Sequence, residues 1–231
     1  MRKNLELTLY EDSAELVVTA ANEAIKVIVN QLAEKKDFHL ALTGGTLGTE
    51  FAQKLVELIN HAGDLTGLNI WFSDERFDST DSPLRNSRPV RDGLNNSSVT
   101  VHEVKSTDNG VSVFDAAASY EADLGEIEMD ICVLGLGPDG HVASLFPDQW
   151  DPQDKARAVA ITNSPKPPAE RVSFSMDFIN ASSQVWIIAA GRSKAVAVQQ
   201  VIEADTSVPS GHVRAEKLTR LFVDTEAYSS Q

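Results

Sequence analysis

Met129-Asp-Ile-Cys-Val-Leu134 runs directly into Gly135-Leu-Gly-Pro-Asp-Gly-His-Val-Ala-Ser-Leu-Phe-Pro147. The first six residues are almost continuously apolar, which predicts a buried strand at the centre of a parallel sheet. That strand stops at a glycine-rich loop, and a helical stretch is expected to resume near Val142. In open α/β sheets, ligands bind in the crevice outside the carboxyl ends of the strands. His141 therefore falls where chemistry is ordinarily done, on a loop whose glycines let backbone and ligand approach closely. Asp139 supplies a carboxylate able to hold the imidazole in one tautomer. The plain alternative is a tight turn carrying a solvated histidine; the flanking Gly, Asp and strand end favour a functional loop.

Outward from this loop, strands and helices alternate. Leu5, Leu7 and Leu9 alternate with polar residues and open the chain as a strand. Asp12-Ser-Ala-Glu15 resembles a capping box and starts a long helix expected to reach about Lys36. Strands are predicted at Phe38–Leu42, Leu68–Phe72, Val99–Val104, Arg157–Thr162, Gln184–Ala189 and Thr219–Val223. Helices are predicted at Thr46 to about His61, Ser112 to about Leu124, and Ser193 to about Ala204. A short helical piece should open at Ser82-Pro83 and be interrupted by Pro89. Ser164-Pro-Lys-Pro-Pro168 reads as a loop and Glu226–Gln231 as a polar tail. Such alternation implies parallel pairing, and no repeat or long linker breaks it. The expectation is one α/β domain over residues 1–231, a Rossmann-like, mostly parallel sheet with helices on both faces.

The 231 residues suffice for a sizeable core. The opening Met1-Arg-Lys-Asn lacks the apolar run of a signal peptide, and no apolar stretch approaches the roughly 20 residues that span a bilayer. The single cysteine, Cys132, lies in the predicted core strand, so disulfides are excluded and a cytoplasmic location is expected. A buried apolar thiol is a poor nucleophile. Trp71 and Trp186 fall in predicted strands and are expected in the core. The net charge of −14 argues against nucleic acid or an anionic membrane as partner. One segment runs against that balance. Between Lys155 and Lys194 stand Lys155, Arg157, Lys166, Arg171, Arg192 and Lys194 against only Glu170 and Asp177. Charge scatter explains this as well as a small anionic ligand does.

Four loops follow predicted strands. Thr43-Gly-Gly-Thr46 could turn the amides of a helix N-terminus toward an anion, although it matches neither a Walker loop nor a dinucleotide fingerprint. Ser73-Asp-Glu-Arg76 carries an arginine suited to bidentate phosphate contact. The third is the His141 loop. The fourth pairs Lys166-Pro-Pro-Ala-Glu-Arg171 with Gly191-Arg-Ser-Lys194. Each alone is ambiguous, an ordinary turn or a solvated strand end serving equally well.

Their order resembles the glucosamine-6-phosphate isomerase/6-phosphogluconolactonase family, from about Ala14 to Val223. Asp139-Gly-His-Val-Ala-Ser-Leu-Phe-Pro147 and Asp74-Glu-Arg76 are the most specific pieces, and they resemble the lactonases rather than the deaminases. Deaminases typically continue Asp-Gly-His with Ile-Ala-Phe-Asn-Glu-Pro and have Asp-Glu-Tyr at the earlier site. Two departures stand out. Thr46-Leu-Gly48 replaces the usual Ser-Thr-Pro, and Arg85-Asn86 occupies the place of a Ser-Asn pair.

The resemblance implies hydrolysis of 6-phospho-D-glucono-1,5-lactone to 6-phospho-D-gluconate, a step of the oxidative pentose phosphate pathway. His141 would act as general base and Asp139 as its orienting partner. Gly44, Gly45 and Thr46, with Arg76, Arg171 and Lys194, would hold the phosphate. Asp74, Asn86 and Gly140 complete the expected site, Asp74 contacting sugar hydroxyls or pairing with an arginine. No cofactor or metal is expected, since a lactone carbonyl is already electrophilic and the five histidines lack ligand-like spacing. The partner is a small sugar-phosphate lactone, and the chain is expected to be a monomer or small homo-oligomer. Two rivals remain. One is a glucosamine-6-phosphate deaminase or sugar-phosphate isomerase with Asp74 as base. The other is a non-catalytic sugar-phosphate sensor, for which the sequence offers no spare helix-turn-helix segment.

Overall fold

The computed structural model describes residues 4–229. The elements in chain order are β1 (Leu5–Tyr10), α1 (Ser13–Leu32), β2 (Phe38–Leu42), α2 (Gly45–His61), β3 (Leu68–Phe72) and β4 (Asp74–Arg76). There follow α3 (Arg88–Gly93), β5 (Thr100–Val101), α4 (Val113–Leu124), β6 (Ile131–Gly135), β7 (Ala158–Ile161) and β8 (Arg171–Phe174). The chain closes with α5 (Met176–Ala181), β9 (Gln184–Ala189), α6 (Ala195–Glu203), α7 (Pro209–His212), β10 (Leu218–Asp224) and α8 (Thr225–Tyr228).

Seven strands form one sheet in the order β1-β10-β9-β6-β2-β3-β5, and every neighbouring pair is parallel. Period-2 alternation sends successive side chains to two cores. Phe38, Leu40, Leu42, Ile131, Val133, Trp186 and Ile188 pack under α1 and α2. Ala41, Cys132, Leu134, Val185 and Ile187 pack under α4, α5 and α6 on the other face. Trp71 and Trp186 are both buried, and Trp150 is half-buried, edge-on to His212. Cys132 is fully buried, and burial pushes its thiol up to about 12. Among the described residues no helix is long and apolar enough to cross a membrane.

Several local expectations are corrected. The helix anticipated after His141 is absent: Val142 and Leu145 form an isolated bridge, with Ala143 at φ 50° between them. Ser144 explains this, because its N–H donates to Ser173 and its hydroxyl to Asp74, bonds a helix would forgo. Pro89 does not interrupt a helix but lies in the first turn of α3, where its missing N–H costs nothing. α1 ends at Leu32, and only Thr100–Val101 of the expected Val99–Val104 strand pairs. The tail contains α8, capped by Asp224; its last two positions, 230 and 231, lie outside the described residues, as do residues 1–3 of the opening segment. A second, antiparallel sheet, β4-β8-β7, was not anticipated at all. Its three-residue strand β4 is charged and too short to show a period.

The two sheets meet at Ser73, whose N–H bonds Leu42 and whose carbonyl accepts from Phe174. Just before this junction, the buried Tyr120 hydroxyl accepts the Phe72 N–H at 2.9 Å and donates to the Phe72 carbonyl at 3.1 Å. Tyr120→Phe should therefore destabilise the protein by about 1–3 kcal/mol, the cost of leaving buried backbone groups unpaired. Urea unfolding measures this; a change below about 0.5 kcal/mol would mean that water or other groups satisfy Phe72.

Candidate active site

From β2 the chain steps outward through β3 to β5, and from β6 it steps outward the other way through β9 to β10. The carboxyl ends of β2 and β6 therefore flank the switch point of the sheet, where a crevice forms. The Gly135 N–H lies 3.3 Å from the Thr43 hydroxyl and joins the two strand ends. A cavity of about 250 Å³ opens there, lined by Gly44, Gly45, Asp74, Arg76, His141, Lys166, Arg171 and Lys194, with Thr43, Leu136, Ala143 and Pro167 among its other walls. A larger groove of about 730 Å³ runs between α2 and α3, but it is shallower and its charges are already paired, Arg88 with Asp92. The smaller cavity carries the unpaired chemistry.

The β6 loop closes through Gly137 N–H to the His141 carbonyl at 2.8 Å and Gly140 N–H to the Gly137 carbonyl at 3.0 Å. His141 Nδ1 lies 2.5 Å from Asp139 Oδ1. A Cβ on Gly137 would overlap both side chains of this pair, so only glycine fits beneath them. Phe146 packs against the imidazole at 4.6 Å between ring centroids. Burial lowers the His141 pKa, with Lys166 adding to the effect; the hydrogen bond and charge of Asp139 oppose it without prevailing. Burial by itself would raise Asp139, but the hydrogen bond and charge of His141 outweigh that and hold it low. The pair is thus a carboxylate beside a neutral imidazole. With Nδ1 donating to Asp139, Nε2 is the basic nitrogen, and among the described residues it has no hydrogen-bond partner.

Positive charge gathers opposite. α2 begins at Gly45 with no side-chain cap on its N-terminal amides, leaving donors and a partial positive charge toward the cavity. Lys194 stands in the turn before α6, its pKa lowered by burial and then by repulsion from Lys166. Neither ammonium has a salt-bridge or hydrogen-bond partner among the described residues. Arg76 donates to the Leu84 carbonyl at 2.5 Å, while its buried Nε has no partner. Arg171, buried at 4% exposure, is tied into the protein. It donates to the carbonyls of Lys166 and Pro168 and to Ser144, and stands 3.9 Å from Asp74. Three of its five N–H groups therefore hold the Pro-rich loop and the wall, leaving two.

The structure brings His141, Asp74, Arg76, Arg171, Lys194, Gly44 and Gly45 to one cavity. Three other expected residues stand back from it. Gly140 lies behind the loop at φ 81°, receiving Ser210 N–H on its carbonyl. Thr46 is the second residue of α2, provides no cap, and lines an adjoining chamber with Lys194. Asn86 is buried behind the wall, where its amide donates to the carbonyl and the carboxylate of Asp74 at 2.8 and 3.1 Å. A Cβ on Gly44 would overlap that amide. Sequence reasoning missed Lys166 as a lining residue, although its place in the basic segment was a signal. It also missed Ser144 and Glu75, whose partners are visible only in three dimensions. Among the described residues no three His, Cys, Asp or Glu side chains cluster as metal ligands.

Fold and cavity define an α/β protein whose crevice lies at the carboxyl edge of a parallel sheet and is lined with cations, of which Lys166 and Lys194 have no partner among the described residues. Within that class, the chain belongs to the glucosamine-6-phosphate isomerase/6-phosphogluconolactonase family, whose sequence model matches residues 11–222. A 6-phosphogluconolactonase of Streptomyces coelicolor is 31% identical over 244 residues, covering 97% of this chain and 94% of the relative. The crystal structure of 6-phosphogluconolactonase from Thermotoga maritima superposes with a TM-score of 0.79 at 25% identity, over 96% of this chain and 100% of that one. A monomeric glucosamine-6-phosphate deaminase superposes equally well, with a TM-score of 0.79 at 19% identity, over 96% and 98% of the two chains. The fold alone thus does not separate the two activities.

His141 should titrate below its ordinary 6.5, since burial outweighs its carboxylate partner. Asp139→Asn removes the group that favours the imidazolium, so the midpoint should fall further, by roughly one unit. Following the imidazole Cε1–H resonance against pH tests both statements. A midpoint that rises in Asp139→Asn would overturn this account of the pair.

Proposed function

We propose that the protein is a 6-phosphogluconolactonase, hydrolysing 6-phospho-D-glucono-1,5-lactone to 6-phospho-D-gluconate in the oxidative pentose phosphate pathway. The observation that carries this reading is the neutral His141 held by Asp139, with Nε2 unengaged beside unpaired lysines. Ring-ester hydrolysis requires a base for water and a proton for the departing ring oxygen. His141 Nε2 takes a proton from water as the oxygen attacks the carbonyl carbon. When the tetrahedral intermediate collapses, the ring C–O bond breaks and the imidazolium returns the proton to the ring oxygen. Asp139 keeps Nε2 as the accepting nitrogen and stabilises the transient cation. Lys166, Lys194, Arg76 and the α2 amides form the phosphate end, where an anion relieves the repulsion between the lysines.

Asp74 speaks against the isomerase or deaminase reading. Its Oδ1 accepts from Asn86 and its Oδ2 accepts from Ser144 at 2.7 Å, with Arg171 near. Both carboxylate oxygens are thus already committed to donors of the wall, which leaves Asp74 a positioned acceptor rather than a free base. The same carboxylate remains on the cavity wall, able to accept from a sugar hydroxyl.

Freshly generated lactone followed by NMR against its spontaneous hydrolysis provides the test. The wild type should accelerate ring opening, and His141→Ala should lower kcat by about 10²–10⁴-fold. Lys194→Ala should act mainly on KM, by roughly tenfold to a hundredfold, the worth of one charge-assisted bond. Ammonia release from glucosamine 6-phosphate without lactone hydrolysis would overturn the assignment in favour of the deaminase.

A further inference from the structure

Behind the cavity wall lies a second ionic group that the proposed chemistry does not touch. Glu75, the middle residue of β4, is completely buried. Its Oε1 accepts the backbone N–H of Arg76 at 2.8 Å and of Asn86 at 2.6 Å; its Oε2 accepts that of Ser87 at 2.8 Å. One carboxylate thus clamps the loop that carries Asn86. The Arg85 side chain, 1% exposed, approaches Oε2 at 3.8 Å through Nε and donates to the Val104 carbonyl at 2.6 Å. Its Nε and Nη1 are buried without hydrogen-bond partners. Burying a guanidinium with so few hydrogen bonds is expensive, and a clamp of backbone N–H groups supplies no full positive charge to balance Glu75.

We propose that Arg85 is a positioning residue: by countering the buried Glu75 carboxylate it holds the Asn86–Asp74–Gly44 wall of the cavity in place. The inference rests on the lactonase reading of that cavity. The route is short. Glu75 fixes the backbone at Asn86 and Ser87; the Asn86 amide then lies against Gly44 and donates to Asp74; Asp74 in turn accepts from Ser144 and faces Arg171. A protonated Glu75 would present an O–H where a backbone N–H now donates, and the clamp would lose at least one bond. Burial raises the Glu75 pKa, and Arg85 is the largest influence holding it down. The other ionisable groups around it are Tyr120 on α4 and Arg171 on β8, while Arg85 also faces Glu103 at 3.7 Å and Asp108. Tyr120 stays neutral, raised far by its own burial, and Arg171 is shared with Asp74. Arg85 is therefore the charge on which Glu75 depends.

The test uses Arg85→Met, Arg85→Lys, Glu75→Gln and the double variant. The Glu75 carboxyl carbon is followed by NMR in glutamate-labelled protein, and kcat/KM for lactone is measured across pH. In the wild type Glu75 should be ionised at pH 7 although burial raises its pKa above the ordinary glutamate value; a wild-type Glu75 protonated at pH 7 overturns the proposal without any variant. In Arg85→Met its midpoint should rise by roughly one to three units, the usual effect of losing an adjacent opposite charge. The acid limb of kcat/KM should rise with it, mainly through KM. Arg85→Lys should retain most of the wild-type profile, and the double variant should lose the added limb because glutamine does not titrate. An unchanged Glu75 midpoint in folded Arg85→Met overturns the pairing. A midpoint that moves while the kinetic limb does not overturns the positioning role. A wild type inert toward lactone refutes the functional reading instead, and the Glu75 titration then decides the pairing by itself.

Discussion

The parallel neighbours β2 and β6 constrain everything around them. The chain leaves their carboxyl ends in opposite directions, toward β5 on one side and β10 on the other. No crossover covers the gap between those ends, and the loops that emerge there must face each other. Thr43–Gly45 and Leu136–His141 thus become opposite walls, tied at their base by the Gly135 N–H and the Thr43 hydroxyl. The small antiparallel sheet supplies the third wall, because β4 departs from the end of β3 and pairs with β8, setting Asp74 opposite Ser173 and Arg76 opposite Arg171. Topology gathers the residues; their hydrogen bonds then fix how each is presented.

Charge is distributed against the overall balance. In a chain with a net charge of −14, the cavity is lined by Arg76, Lys166, Arg171 and Lys194, with Asp74 as the sole acidic lining residue among the described residues. These cations fall into two groups. Arg171 spends most of its donors on the wall and the Pro-rich loop, so it is framework as much as ligand contact. Burial and then repulsion from Lys166 lower the Lys194 pKa, with no bonded acid between the two ammonium groups among the described residues. An anion placed between the two ammonium groups would relieve that repulsion.

The large sheet and the four loops were legible in the sequence because each rests on a local signal. A buried parallel strand such as Ile131–Gly135 must be apolar on both faces, and a strand-to-helix turn such as Gly44–Gly45 needs glycine where Asn86 presses on it. What escaped depends on partners far away in sequence. Nothing near Ser144 predicts a hydroxyl shared with Asp74, 70 residues away, yet that bond replaces the expected helix with a turn. Strand β4 carries Asp-Glu-Arg, a sequence that argues for solvent until the antiparallel partner and the Glu75 clamp are known. Asn86 and Gly140 belong to the same lesson, since motif positions identify them while the structure assigns them to support.

The resulting division of labour bears on why one fold accommodates both lactonases and deaminases. A lactonase and a deaminase superpose on this chain equally well, so the crevice that the fold forms does not by itself select the chemistry. On the proposed reading, selection would rest with two carboxylates. Asp139 is spent on the imidazole, whose Nε2 has no partner among the described residues. Asp74 accepts from Ser144 and Asn86, with Arg171 3.9 Å away. On that reading, a fold that freed Asp74 from such partners would leave it available to a carbon acid, whereas securing it leaves the proton transfer to His141. In this protein the network that secures Asp74 begins at the buried Glu75, one layer behind the residues that line the cavity.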